Sequence, residues 1–290
     1  MNWTIHRLTV ATETAHRLDI FLSENCPDLS RTLAKKIIDL GGTHVNGRRV
    51  RSCSLQVKKN DQIEVYIDHL PIDPYRIKES NVVFHDQYLI VLNKPADIDT
   101  QPTHARYKGT LYEALQWFLK DPFRPHQKPE IGMIQRLDRG TSGLIVFSIH
   151  PRAHKQMTKI FVEHLIEKRY LALVKGTPEP PQAEIRSFLA RTRKANKVMS
   201  VTKGGKEAIT RYQLVEELFG SALLDIDLLT GRSHQIRAHL SEQGHPLLGD
   251  QRYGGPQDLF GITVKRPLLH ASQLIFKHPV TGEALDFSAP

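Results

Sequence analysis

The densest polar cluster in this 290-residue chain is Gln135-Arg136-Leu137-Asp138-Arg139-Gly140-Thr141-Ser142-Gly143, between apolar stretches at 131–134 and 144–147. A charged loop between two buried strands can hold a side chain rigidly and still reach a ligand. Arg136 and Arg139 flank Asp138, and nearby cations favour the charged carboxylate. An ionised aspartate is a nucleophile or a base, or else half of a structural ion pair. His16-Arg17-Leu18-Asp19 carries a similar pattern, but Ile20-Phe21-Leu22-Ser23-Glu24 continues it as amphipathic helix with no glycine-rich loop. Asp19 is therefore read as a surface or helix-packing residue.

A second cluster spans residues 229–240, LTGRSHQIRAHL. It follows an alternating strand (Leu224, Ile226, Leu228) and enters helical spacing at Ile236 and Leu240,. The Thr230-Gly231 turn and Ser233 would expose amides at a helix start, a common anion site. Arg237, one turn into the segment, could fix a carboxylate from another loop. Residues 244–250, GHPLLGD, read as a tight structural turn. His234, His239 and His245 raise the question of a metal, but no Cys or carboxylate completes a recognised ligand spacing, and none is expected. A third element, EKRYLALV at 167–174, opens a strand at Tyr170. Such a ring is a core residue, or stacks on a nucleobase while its hydroxyl handles a proton.

These clusters need a scaffold, and the pattern supplies one. Strands are expected at 82–84, 89–92, 143–147, 170–174, 209–215 and 223–228, with helices at 111–119 and from Pro151 through Ala153, Met157, Ile160, Phe161 and Leu165,. Ahead of them lies a smaller unit. A helix holds Leu18, Phe21 and Leu22. Ser30 caps a second helix at 31–40, which Gly41-Gly42 stops. An Asn46-Gly47 hairpin joins 43–45 to 48–50, and Ile63, Val65 and Ile67 alternate as a strand,. The fold class is α+β: residues 1–70 as a small module, 71–80 as a Pro-containing linker, and 81–290 as a larger domain on an extended mixed or antiparallel sheet.

Composition excludes several classes. Hydrophobic residues make up 40% and charged ones 24%, which is ordinary globular composition,. No apolar run approaches the ~20 residues that span a bilayer, and no signal-like apolar segment follows Met1. Only Cys26 and Cys53 occur, too few for a disulfide framework,, so a cytoplasmic location is expected. The formal charge of +9 is concentrated in two places. Residues 31–51 carry Arg31, Lys35, Lys36, Arg48, Arg49 and Arg51 against Asp39; residues 184–211 carry eight cations, including Arg193 and Lys194, against Glu184 and Glu207. Both patches suit phosphates.

Taken in order, the clusters resemble the RluA-type family of pseudouridine synthases. Residues 136–143 resemble its catalytic loop, Lys168-Arg169-Tyr170 its tyrosine motif, 230–237 with 244–250 its third motif, and Leu268-Leu269-His270-Ala271 the stretch that closes the pocket. The resemblance covers residues 82–287, and residues 15–67 resemble the S-four-type RNA-binding module common in that family. It implies isomerisation of uridine in RNA to pseudouridine, with no cofactor and no metal. Asp138 would be the essential carboxylate, attacking the anomeric carbon or removing the neighbouring ribose proton. Arg237 would pair with it, and Tyr170 would stack on the uracil and help remove the carbon-bound proton. Arg136 would fill the gap left by the flipped base, whose extrusion costs a few kcal/mol. Arg139 and Arg232, with the cations of 31–51, would contact RNA.

The implied partner is structured RNA, ribosomal by preference and transfer RNA as the alternative, with no membrane and no obligate protein partner. Gln135 stands where the family usually has His, and ADIDTQPT at 96–103 replaces a Gly-led segment with Val-His-Pro. Both departures bear on the substrate rather than the chemistry. A non-catalytic RNA-binding or ribosome-assembly factor would not need Asp138, Tyr170 and Arg237 together. A glycosidase would pair two carboxylates.

Overall fold

A computed structural model describes residues 3–72, 74–192, 197–259 and 261–289; the Arg193 and Lys194 of the second basic patch lie outside these. The chain divides into two compact units, Met1–Ile77 with Ile98–Lys128, and Lys78–Asp97 with Pro129–Pro290. Residues 98–128, which sequence places with the larger domain, pack with the smaller one.

The first unit is an antiparallel sheet ordered Thr4–Thr9, Gln62–Ile67, Thr43–Val45, Arg48–Val50, with helices Leu18–Asn25 and Arg31–Leu40. Ser30 caps the second helix by accepting from the Leu33 N–H at 3.3 Å, and Gly41 ends it in the left-handed region. Asn46 and Gly47, both at positive φ, make the hairpin turn, as two-residue hairpin loops require. Leu18, Leu22, Ile38, Val57 and Val65 form the core. Of the two readings of Asp19, surface or helix-packing, the structure shows the second: it is fully buried among this packing. Arg17 and Arg31 donate to it at 3.0 and 3.1 Å, and Lys35 lies 3.9 Å away. Burial alone would push its carboxyl up, but the hydrogen bonds from Arg17 and Arg31 outweigh this and hold it below the usual carboxylate range,.

The second unit is built on eleven strands. Their order is Lys197–Ser200, Gln182–Thr192, Lys206–Leu218, Ser221–Leu228, Ile166–Lys175, Leu269–Lys277, Ser142–Ser148, Leu89–Lys94, Val82–His85, with Ala284–Ser288 and Gly132–Met133 pairing at its flanks. Every expected strand is present. The sheet is antiparallel except where Ser142–Ser148 runs parallel to Leu269–Lys277. The Pro151–Val162 helix buries Ala153 and Met157 against Leu89, Val91, Leu144 and Val146. Leu165 is a correction: it lies beyond that helix and is exposed, since the chain turns at His164 (φ +56°) to start the next strand.

The parallel pair demands a glycine. Gly143 sits opposite Ala271 with φ +106°, and a Cβ there would come within 2.2 Å of the Ala271 carbonyl oxygen. Gly143→Ala should cost about 2–4 kcal/mol from backbone strain plus overpacking. Denaturant unfolding checks this; parental stability would mean the two strands separate easily.

Candidate active site

Asp138 lies in the loop immediately before the Ser142–Ser148 strand, its carbonyl accepting from the Thr141 N–H at 3.0 Å. Its side chain is 32% exposed. The loop is tied down from a neighbouring strand end: the buried Lys94 ammonium donates to the carbonyls of Pro95 and Arg139, and the Asp97 N–H donates to that of Arg139 at 2.8 Å. Asp97, in the segment that departs from the family pattern, therefore buttresses the loop. Arg136 is exposed and Arg139 half-buried. Gln135, the other departure, has its carboxamide nitrogen buried with no partner among the described residues.

The cation against Asp138 comes from 99 positions away: Arg237 Nη1 donates to Asp138 Oδ2 at 2.8 Å. The same guanidinium donates through Nε and Nη2 to Asp250 at 2.6 and 2.8 Å. One fork thus holds a fully buried carboxylate on two prongs and the partly exposed Asp138 on the third, a geometry a lysine could not supply. Burial opposes the charge on Arg237, but Asp250 and Asp138 outweigh it and keep the guanidinium above its ordinary value. Tyr253 lies under it, with the guanidinium carbon 4.9 Å from the ring centroid.

Arg237 can be aimed this way because the Gln235–Glu242 helix is pinned at its start. Gln235 uses both ends of its carboxamide. The oxygen accepts from Thr230 and from the Arg232 N–H; the nitrogen donates to the Ile209 carbonyl and Thr210. The Arg232 amide, between the amides expected to meet an anion, is thus taken by Gln235. His234 precedes the helix in the left-handed region (φ +53°), with Nδ1 2.9 Å from the Tyr253 hydroxyl and Nε2 3.7 Å from Asp138 Oδ2. Burial lowers its pKa, Asp138 opposing and Arg237 assisting, so the imidazole is neutral at neutral pH. The three histidines face different partners: His239 meets Ser187 and Thr210, and His245 meets the Lys175 carbonyl.

Tyr170 is buried in the Ile166–Lys175 strand, beside Ala271 and Ile226 on its neighbours. Burial first, and then the charge of Asp138, push its hydroxyl well above the ordinary tyrosine value, so it keeps its proton at neutral pH. On the adjacent strand, His270 receives a hydrogen bond at 2.9 Å from Ser142 or gives one to it. Arg232 donates to the Glu207 carbonyl at 2.8 Å.

The other expected cations lie elsewhere. Arg31 and Lys35 surround Asp19 yet remain about half exposed. Lys36 and Arg48 are exposed. Arg49 donates to the Thr103 carbonyl, and Arg51 lies 4.9 Å over the Tyr107 ring. In the second basic stretch Arg186 pairs with Glu184 and Glu207, and Arg211 with Glu184.

Sequence reasoning missed Asp250, Tyr253 and His234 as site residues. Asp250 follows a glycine that is sterically required: a Cβ on Gly249 would come within 1.9 Å of the Arg266 carbonyl oxygen. The 244–250 turn delivers a carboxylate to Arg237. The available signal was an acid at the end of a glycine-framed turn, with a buried arginine in need of a partner.

Over residues 88–242 the chain matches the family model described as RNA pseudouridylate synthase, and over residues 16–63 the one described as S4 domain. An uncharacterized RNA pseudouridine synthase of Aquifex aeolicus is 34% identical, across 93% of this chain and 89% of the relative. The ribosomal large subunit pseudouridine synthase D of Zymomonas mobilis is 33% identical, across 94% and 89%. Among solved structures, human RNA pseudouridylate synthase domain containing 4 matches in fold with a TM-score of 0.60 at 24% identity, covering 73% of this chain and 88% of the human one.

Proposed function

The chain belongs to the RNA pseudouridylate synthase family and is an RNA pseudouridine synthase; from that premise we propose that Asp138 is its essential carboxylate and large-subunit ribosomal RNA its substrate. The observation that supports the role of Asp138 is the fork of Arg237, which holds a solvent-reachable carboxylate at 2.8 Å while anchored on buried Asp250. Three relatives bear the name ribosomal large subunit pseudouridine synthase D, at 32–33% identity over at least 94% of this chain; they support the choice of RNA.

The reaction breaks the bond between the ribose anomeric carbon and N1 of uracil, turns the base, and joins the anomeric carbon to C5. The proton on C5 leaves and N1 gains one, so nothing is lost and no redox step is needed. Asp138 serves as the nucleophile at the anomeric carbon or as the base for the neighbouring ribose proton. Arg237 is a positioning residue that keeps the carboxylate aimed. Arg136, exposed at the mouth of the loop, fills the stack vacated by the flipped base; Arg139 and Arg232 contact the backbone, together with Arg31, Lys35, Lys36, Arg48, Arg49 and Arg51 on the smaller unit.

Tyr170 carries the uracil ring and its last proton. Because it stays protonated at neutral pH, it can take the C5 proton only as its own hydroxyl proton passes to a base, one proton leaving C5 for the one that N1 gains; Asp138 is the negative charge that acts on it. Tyr170→Phe should therefore bind RNA within about threefold of the parent while the isomerisation rate falls by about 10²–10⁴, the usual loss for a removed general acid–base group. Single-turnover kinetics with gel-shift affinity measures both. A parental rate would restrict Tyr170 to stacking.

Chemical mapping of pseudouridine across ribosomal and transfer RNA, with and without the gene, tests the substrate. Loss of a site in large-subunit ribosomal RNA is expected. Loss confined to transfer RNA would reassign it.

A further inference from the structure

In the first compact unit, the Leu111–Phe118 helix directs its capping chemistry at a surface ring. Thr110 caps the helix by accepting from the Glu113 N–H at 3.2 Å. The Glu113 carboxylate, on a residue only 6% exposed, accepts from the Gly109 N–H at 3.2 Å and from the Trp117 indole N–H at 2.8 Å. Trp117 itself is 52% exposed. Tryptophan is ordinarily well buried, with a partner found for its N–H inside. Here a buried carboxylate fixes the plane of a ring that faces water.

That ring is set among cations. The Arg76 guanidinium carbon lies 5.1 Å from its centroid and Lys120 Nζ lies 5.2 Å away. Arg76 also approaches Glu113 Oε2 at 3.8 Å, so cation, carboxylate and indole form one set. Three residues past Lys120, after a turn in which Asp121 accepts from the backbone, Phe123 is 93% exposed and is followed by Arg124. A purely apolar partner would have to desolvate these cations. A polyanion with aromatic bases would satisfy both features, a base taking the place of a cation over the held π-face as that cation moves to a phosphate.

We propose that Trp117 is a stacking platform for an unpaired base of the substrate RNA, with Arg76 and Lys120 on the adjoining phosphates. This rests on the RNA pseudouridine synthase reading for the class of ligand, and adds a contact on the compact unit that does not carry Asp138. The held ring tolerates any base, so it adds affinity and register rather than base identity.

The chain has two tryptophans, so Trp3→Phe leaves Trp117 as the sole indole reporter. In that background, titration with single-stranded decauridylate and with an unmodified large-subunit ribosomal RNA transcript should quench the emission saturably. Trp117→Ala should raise Kd and KM about 5- to 150-fold, the effect of removing one base–aromatic stack, with the loss in KM rather than kcat. Trp117→Phe keeps a π-face and should return both to within about threefold, which also separates stacking from any misfolding of the alanine variant. Absence of quenching, or equal Kd for Trp117→Ala and the parent, overturns the proposal. Failure of the isomerase reading would show separately, as absence of pseudouridine from the parent enzyme, because the titration reads binding alone.

Discussion

Asp138→Asn and Asp138→Ala should yield no detectable pseudouridine while binding RNA within about threefold of the parent. Asparagine is nearly isosteric and can still meet Arg237 Nη1, now 2.8 Å from Asp138 Oδ2, so the loop should keep its shape. What disappears is the carboxylate's capacity to attack carbon or accept a proton. Removing an essential nucleophile or base from a cooperating set costs at least about 10⁴ in rate. Phosphate contacts dominate affinity for RNA, and the ones proposed above are spread over cations on both units and do not pass through Asp138. Single-turnover assays with enzyme in excess, alongside gel-shift titration, separate the two quantities. An Asp138→Asn variant that isomerises uridine at the parental rate would remove the basis of the mechanism.

The second large effect is on stability as well as rate. Arg237→Met strips the guanidinium that pairs with Asp250, whose side chain is 1% exposed. A buried charge left without its partner destabilises by about 3–5 kcal/mol. At roughly 2–4 °C per kcal/mol for a domain of this size, Tm should fall by about 6–20 °C. Adding Asp250→Leu removes the stranded charge, so the double variant should recover most of the Tm and none of the activity, because Asp138 still lacks the guanidinium that aims it. Thermal unfolding and rate assays on the two variants decide this. Recovery of activity in the double variant would mean that Arg237 serves only to satisfy Asp250.

Local structure was legible wherever one chemical rule acted alone. Ser30, Gly41 and Asn46-Gly47 each impose a backbone state regardless of what packs around them, and the expected helix and hairpin are where they should be. The loop bearing Asp138 was legible because its charges interrupt two apolar runs, and a chain leaving one buried strand for the next must surface between them. Contacts distant in sequence were harder to see. That Arg237, which follows strand 221–228, reaches Asp138, which precedes strand 142–148, depends on strands 166–175 and 269–277 lying between those two in order, and nothing local in 136–143 announces that order.

Charge misled in a related way. Counting cations over 31–51 and 184–211 treats each as free for phosphate. In the fold Arg31 and Lys35 ring a buried carboxylate, and Arg186 and Arg211 pair across neighbouring strands with Glu207 and Glu184. Asp19 shows the same limit: an acid after Arg17-Leu18 reads equally as surface or helix-packing until the helix that carries Arg31 is packed against it. Residues 98–128 were assigned by chain continuity to the larger domain, whereas Arg49, Arg51 and Asp39 of the small module reach Thr103, Tyr107 and Lys108. No pattern within a single segment encodes such pairings.

The central claim is that this chain converts uridine to pseudouridine in RNA through Asp138. Its most direct test is release of tritium from uridine labelled at carbon 5, in an unmodified large-subunit ribosomal RNA transcript incubated with purified protein. The C5 proton leaves only if the base has been reattached through that carbon. Release to a fixed number of sites per RNA is expected from the parent enzyme and none from Asp138→Asn. No release by the parent from ribosomal or transfer RNA transcripts, or equal release by the variant, would contradict it.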